Sequence, residues 1–397
     1  MKKKIKHIIL LVILIIINIM LKIFNNKINI YSKIDFIISY IKMKKEFKTN
    51  KQYFNFVNAN KLLVLKKYKK NKKPNVSVIS PIYNREKYIP KFLRIIQSQS
   101  FHNIEIIFID DCSIDNSINL IEEFKKKDER IQLIKNNFNK GTFVSRNIGK
   151  LYYNSKYVIL PDPDDILGRN IINICFKYSE KYNYEMVRFN ILKITEKKAY
   201  NVYIQDKEKI SIKQPNLSNF MFYGSNELFI VDYYIHNKFI KKELFIKTIN
   251  SINKLHWNMY ITLWEDTTIS YMLYRNAQSF CSLKKTGYYY IKNSQSITKN
   301  MFKISELKMK FIFIFLKFVF ENSKKTKYEK DMFNLLFTQL NDNSKIASTL
   351  KNLSLKSDYY YYYEIITNYL NCSFISKENK NVLNDFILII KKNIKIK

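Results

Sequence analysis

Apolar runs alternate with helically spaced apolar positions from Val76 onward, which predicts a β/α series. Val76-Ser-Val-Ile-Ser80 reads as a short strand that Pro81 should stop, because proline lacks the N–H a ladder uses. Glu86 to Gln97 then spaces Tyr88, Phe92, Leu93 and Ile96 as on one face of a helix. Ile104–Ile109 is a second strand, Ile118–Phe124 a helix, Ile131–Ile134 a third strand, Phe143–Tyr152 a helix and Tyr157–Leu160 a fourth strand. Strands alternating with helices build a mostly parallel sheet covered on both faces, so the predicted class is α/β. Ligands on such sheets bind beyond the carboxyl ends of the strands. Those ends carry Asp110-Asp111 after the second strand and Asp162-Pro-Asp-Asp165 after the fourth.

The two ends of the chain follow other patterns. A basic start, Met1-Lys-Lys-Lys-Ile-Lys6, precedes an apolar run from Ile8 to Leu21 broken only by Asn18. Carried on to Phe24 the run is 17 residues, about 25 Å of helix against a hydrocarbon core of roughly 30 Å, with Lys22 placed to snorkel. No small-x-small cleavage site follows, so residues 1–24 are expected to be a cytoplasmic tail and uncleaved signal anchor. The early lysines predict a single-pass, type II orientation with the catalytic part lumenal (ER/Golgi), although later lysines at 27, 33, 42, 44 and 45 dilute the asymmetry. Residues 25–73, Lys- and Asn-rich, read as a stem, residues 74–300 as the catalytic domain and 301–397 as a helical region. Within that last region Phe311–Phe320 is too short to span a bilayer and reads as a buried helix, the alternative being an interfacial face near a lipid-linked acceptor. Tyr359–Tyr363 reads as a biased core segment rather than a sugar-stacking surface, and Asn-x-Ser at Asn75, Asn216, Asn352 and Asn371 permits lumenal glycosylation.

Composition changes this picture little. A 397-residue chain at 47% hydrophobic and 15% aromatic can fold, and 5 Gly with 6 Pro exclude collagen-like and Pro-rich architectures. The net charge of +36 points first to nucleic acid or an anionic surface. Only seven of the 69 basic residues are arginine, the residue whose fork reads bases and phosphates, so the charge reads as compositional background and no nucleic-acid partner is expected. Four well-separated cysteines make neither a zinc module nor a disulfide framework.

The carboxylates carry the chemistry. Asp162, Asp164 and Asp165 crowd one turn, where they repel unless a cation such as Mg²⁺ or Mn²⁺ joins them; a helix starting near Ile166 would use only one of them as a cap. Asp110 and Asp111 stand where a carboxylate can accept from a base imide or ribose hydroxyls, the alternative being helix capping nearby by Ser113 or Asp115. Gly141-Thr-Phe-Val-Ser-Arg146-Asn147 opens a helix from which Arg146 would face a diphosphate. Trp264-Glu265-Asp266 sets acids beside an aromatic, a setting that suits a general base, though acids also begin helices as dipole partners. His236 and His256 read as structural.

Taken in order, these motifs resemble family 2 glycosyltransferases. The resemblance is carried by Val76 through Asn84, Glu105 through Asp115, Gly141 through Gly149, Asp162-Pro-Asp-Asp165, Asn237 through Phe245, Trp264-Glu-Asp266 and Tyr288 through Thr298. It spans about residues 75 to 300. It implies a GT-A fold, Rossmann-like, that binds a nucleotide-diphospho-sugar, a UDP-sugar donor, with Mn²⁺ or Mg²⁺. Under it the backbone from Pro81 to Tyr83 lines the nucleotide pocket, Asp111, next to Asp110, contacts the base, and Asp162 with Asp164 takes the metal and ribose-diphosphate positions of the DXD motif beside Asp165. Asp266, with Glu265 adjacent, is then the base that activates a hydroxyl of a glycan, glycoprotein or glycolipid acceptor for inverting transfer. Cys112 departs from the glycine frequent at its place, and no Gln-x-x-Arg-Trp element of processive synthases is present, which implies transfer of a single sugar. The alternative is a catalytically inactive GT-A-like subunit that binds a partner glycosyltransferase.

Overall fold

The computed structural model describes Lys69, residues 73–194, 199–201, 209–213, 222–223, 230–253 and 265–291, together with Asn384, Ile387 and Leu388. The expected anchor (1–24), Trp264, His256 and both C-terminal aromatic runs lie outside the described residues, as do the stem except Lys69 and Lys73, and residues 301–397 except those last three. Among the described residues no helix is long and apolar enough to cross a membrane.

The series opens with β1 (Val76–Ile82), α1 (Ile89–Gln97), β2 (Ile104–Asp110), α2 (Ser117–Lys125), β3 (Ile131–Lys135), α3 (Thr142–Gly149) and β4 (Tyr157–Ile159). It continues with β5 (Ile166–Leu167), α4 (Ile171–Tyr182), β6 (Met186–Ile194), β7 (Ala199–Asn201), β8 (Lys209–Lys213), β9 (Phe222–Tyr223) and β10 (Ile230–Val231). β11 (Lys238–Lys241), α5 (Lys242–Asn253), α6 (Glu265–Asn276) and β12 (Ser279–Ile291) follow. The main sheet runs β3-β2-β1-β4-β11-β6-β12-β5, with β7 beside β6 and β8 beside β12.

The first four strands are parallel, as the alternating pattern predicts. Every residue of β1 and β2 is buried, as expected of strands covered on both faces. Beyond β4 the sheet is mixed: β11 runs antiparallel to both β4 and β6, while β6 and β12 are parallel. α3 lies hard against β1, since a Cβ on Gly149 would stand 2.8 Å from Ile79 Cγ2. That contact seats the helix whose Arg146 reaches the acids.

Three local expectations change. Pro81 does not stop β1; it pairs in register with Ile109, and because β4 pairs only as far as Val78 the missing N–H costs no ladder bond on that side. The first helix begins at Ile89 rather than Glu86, because Asn84 turns left-handed (φ 52°) and the Glu86 amide is taken by Asp115 Oδ2 at 3.0 Å. Nor does a helix start at Ile166: Ile166–Leu167 is strand β5, and α4 begins at Ile171.

Candidate active site

The carboxyl ends of β1, β2 and β4 meet at one edge of the sheet. Pro81 is the penultimate residue of β1, with Tyr83 43% exposed beyond its end, while Asp110 ends β2 and Asp111 follows it, both buried. The two loops are stitched together by the Asn84 amide on Ser113 Oγ (3.0 Å) and the Ile114 amide on Asn84 Oδ1 (2.9 Å). Cys112 sits between at φ 69°, a left-handed conformation that costs a side-chain-bearing residue roughly 1–2 kcal/mol and explains why glycine suits that place. Asp110 accepts the Ser113 amide. Asp111 accepts Asn136 Nδ2 and the Lys140 amide on Oδ1 and the Gly141 amide on Oδ2, each at 2.8 Å. Gly141 has φ 84°, open to glycine without strain, and it leads into α3. Asp111 therefore pins the start of the helix that carries Arg146.

Asp162, Asp164 and Asp165 follow β4, with ligand oxygens all within 4.8 Å of one another. Asp165 is buried and spoken for: Tyr288 Oη donates to Oδ2 and the Ile291 amide to Oδ1, both at 2.8 Å. Burial and the Asp162 charge push the Asp164 carboxyl up; burial and the charges of Asp164 and Asp162 push Asp165 well up. An oxygen-only donor set under that repulsion fits a hard divalent cation, with Asp162 and Asp164 as the carboxylates to hold it.

Arg146 links this turn to α6. Its guanidinium, 1% exposed, donates from Nη2 to Asp162 Oδ1 (3.0 Å) and from Nη1 to Asp266 Oδ1 (2.8 Å) and Glu265 Oε1 (3.3 Å). Burial alone would lower its proton affinity, but Asp266, Asp162 and Glu265 outweigh it and hold the guanidinium charged. Expected to face a diphosphate, Arg146 is engaged here by three carboxylates, while its buried Nε has no hydrogen-bond partner among the described residues. Burial would raise Asp162, yet His236 and Arg146 hold it below the usual carboxylate range. Burial and then Asp266 push Glu265 up to about 8, against Arg146. Glu265 and Asp266 open α6, so both also face its N-terminal dipole.

His236, read from the sequence as structural, stands instead among the acids. Nδ1 is 3.6 Å from Asp162 Oδ2 and Nε2 3.7 Å from Asp266 Oδ2, and the ring stacks on Tyr288 at 5.1 Å. Its one sequence signal is its place next to Asn237-Lys238, immediately ahead of β11, in a chain with only 4 histidines.

A second buried charge cluster lies behind the His236 segment. Asp232 accepts Arg188 Nη1 (3.2 Å), Tyr274 Oη (2.6 Å) and Asn237 Nδ2 (3.4 Å) and pairs with Lys238 Nζ (3.0 Å). Arg188 Nε donates to Ser282 Oγ (3.1 Å), and Lys238 Nζ also reaches the Tyr234 carbonyl. Burial lowers Lys238 to about 8 despite Asp232. Tyr274 lies two turns beyond Asp266 on α6, so the cluster ties the acid-bearing helix to the segment carrying His236.

Residues 77–248 match the family described as Glycosyl transferase family 2. Over 236 residues the chain is 25% identical to glycosyltransferase GlyG of Streptococcus pneumoniae, a match covering 58% of this chain and 75% of that protein. An uncharacterised glycosyltransferase of Haemophilus influenzae is 37% identical over 147 residues, 37% of this chain and 46% of its own length. Among solved structures the fold is similar to S. aureus TarS 1-349 in complex with UDP-GlcNAc, at a TM-score of 0.56 and 15% identity over 81% of this chain and 89% of that one. At that identity the likeness speaks to the fold, a GT-A-like α/β sheet.

Proposed function

We propose that the chain, a family 2 glycosyltransferase by the match over residues 77–248, moves one sugar from a UDP-sugar to an acceptor hydroxyl with inversion. One observation carries the reading: Asp162 and Asp266, about a hundred residues apart, are gathered by the single guanidinium of Arg146 at 3.0 and 2.8 Å. A donor-side acid and an acceptor-side base held by one rigid fork are already placed for a displacement. When bound, Mg²⁺ or Mn²⁺ on Asp162 and Asp164 supplies positive charge for the departing diphosphate.

The chain's own groups do the rest. Asp266 takes the acceptor proton while the hydroxyl oxygen attacks the anomeric carbon from the face opposite the diphosphate, and one displacement inverts that centre. Arg146 keeps Asp266 and Asp162 from drifting apart. Glu265, uncharged below about 8, adds no second full charge beside Asp266. A UDP donor is favoured by the fold's likeness to a structure bound to UDP-GlcNAc. Membrane attachment through residues 1–24 belongs to the same proposal and rests on the apolar run Ile8–Phe24.

The test is thermal stabilisation and hydrolysis across a panel of nucleotide-sugars with and without Mn²⁺. The expected result is stabilisation by a UDP-sugar that EDTA removes. Equal stabilisation by every nucleotide-sugar, or none with metal present, would contradict the proposal.

A further inference from the structure

Four aromatic rings form a row from solvent to the acids. Tyr233, 42% exposed, packs on Tyr234 with ring centres 4.2 Å apart, and the two hydroxyls meet at 2.9 Å. Tyr234 lies 6.0 Å from the His236 ring, which stacks on Tyr288 at 5.1 Å, and Tyr288 hydrogen-bonds Asp165. The row is fixed to the base helix, because Ser270 Oγ donates to the Tyr233 carbonyl at 3.1 Å and Ser270 lies one turn beyond Asp266 on α6. The same segment brings His236 Nε2 to 3.7 Å from Asp266 Oδ2, so the row and the proposed base share one neighbourhood.

Tyr233, exposed and backed by the half-buried Tyr234, leaves the apolar area of its ring in water, which a ligand with one apolar face would cover. A pyranose has that form: C–H bonds on one face, hydroxyls around the rim. We infer that Tyr233, backed by Tyr234, is the platform for the acceptor's terminal pyranose, stacking its C–H face while one rim hydroxyl is presented to Asp266. The acceptor is thus a carbohydrate ring and not an acyclic polyol or a bare lipid alcohol. This deepens the proposed transfer, on whose assignment of Asp266 it rests. It is separable from that reading because it concerns binding without a donor.

Saturation-transfer NMR on the full chain tests it, with methyl β-glucopyranoside, galactopyranoside and N-acetylglucosaminide as probes and glucitol as the acyclic control. The wild type is expected to pass saturation to the C–H protons of at least one pyranoside and not to glucitol. Tyr233→Phe should keep that signal. Tyr233→Ala should lose it and raise the Kd by about tenfold, with its melting midpoint reporting that the chain still folds. Absence of signal from all three pyranosides, an equal signal from glucitol, or an unchanged signal in Tyr233→Ala would overturn the inference. Wild-type hydrolysis of UDP-sugars is read separately. If it is absent while the Tyr233-dependent signal persists, the transfer reading fails and the sugar platform stands.

Discussion

Two buried charge clusters lie at opposite ends of the tie between α6 and the His236 segment, and they are built on opposite principles. Around Asp232 one carboxylate is met by Arg188, Lys238, Tyr274 and Asn237, and none of these side chains leaves a buried polar atom without a partner. Around Arg146 one cation faces Asp162, Glu265 and Asp266 with Asp164 and Asp165 nearby, while Arg146 Nε and His236 Nδ1, the latter 3.6 Å from Asp162, make no hydrogen bond among the described residues. The first cluster is complete and fixes geometry. The second has an excess of acid and two buried nitrogens without a hydrogen bond among the described residues, an imbalance of the kind found at functional sites.

The pH signatures of the two clusters should run in opposite directions. Burial would raise Asp232, but Lys238 and Arg188 hold it below 3.8. Its contribution to stability is therefore present above 3.8 and lost as pH falls through the lower folded value. Asp232→Asn should cost about 3–5 kcal/mol at pH 7 by stranding buried cations, with the gap to wild type narrowing below pH 3.8 in urea titrations. Tyr274→Phe should cost less, about 1–3 kcal/mol, and loosen α6, so kcat falls while the donor KM stays put. Glu265→Gln should have the smallest effect at pH 5. Because Glu265 rises from 4.5 to about 8 on folding, the stability it gives is fully present below 4.5 and lost as pH rises to about 8. The Gln variant should therefore gain on wild type across that window; a flat difference would show the acid excess to be compensated.

Much of the parallel half of the sheet, β3-β2-β1-β4, was legible in the chain itself. Buried β1 and β2 with helices between them announce a parallel sheet, and acids at the strand ends mark its working edge. How the later elements join that half was not legible. Lys238-Phe-Ile-Lys241 has only two apolar residues between lysines, too short a pattern to announce a strand that inserts antiparallel between β4 and β6. Arg146 pairs with residues 119 and 120 positions away, a separation to which local pattern is blind. Asp111 looked like a base-binding acid, and its visible work is to hold the Lys140 and Gly141 amides. His236 looked like core because a histidine's neighbours in sequence do not reveal the carboxylates folded against it.

The claim that the acid-rich cluster, and Asp266 within it, performs the transfer is tested most directly by one comparison. Sugar transfer from a UDP-sugar is measured for wild type and Asp266→Asn alongside their melting midpoints. The account predicts transfer at least about a hundredfold slower, as for loss of a general base, with the midpoint shifted far less than in Asp232→Asn. Transfer by Asp266→Asn at the wild-type rate would contradict it.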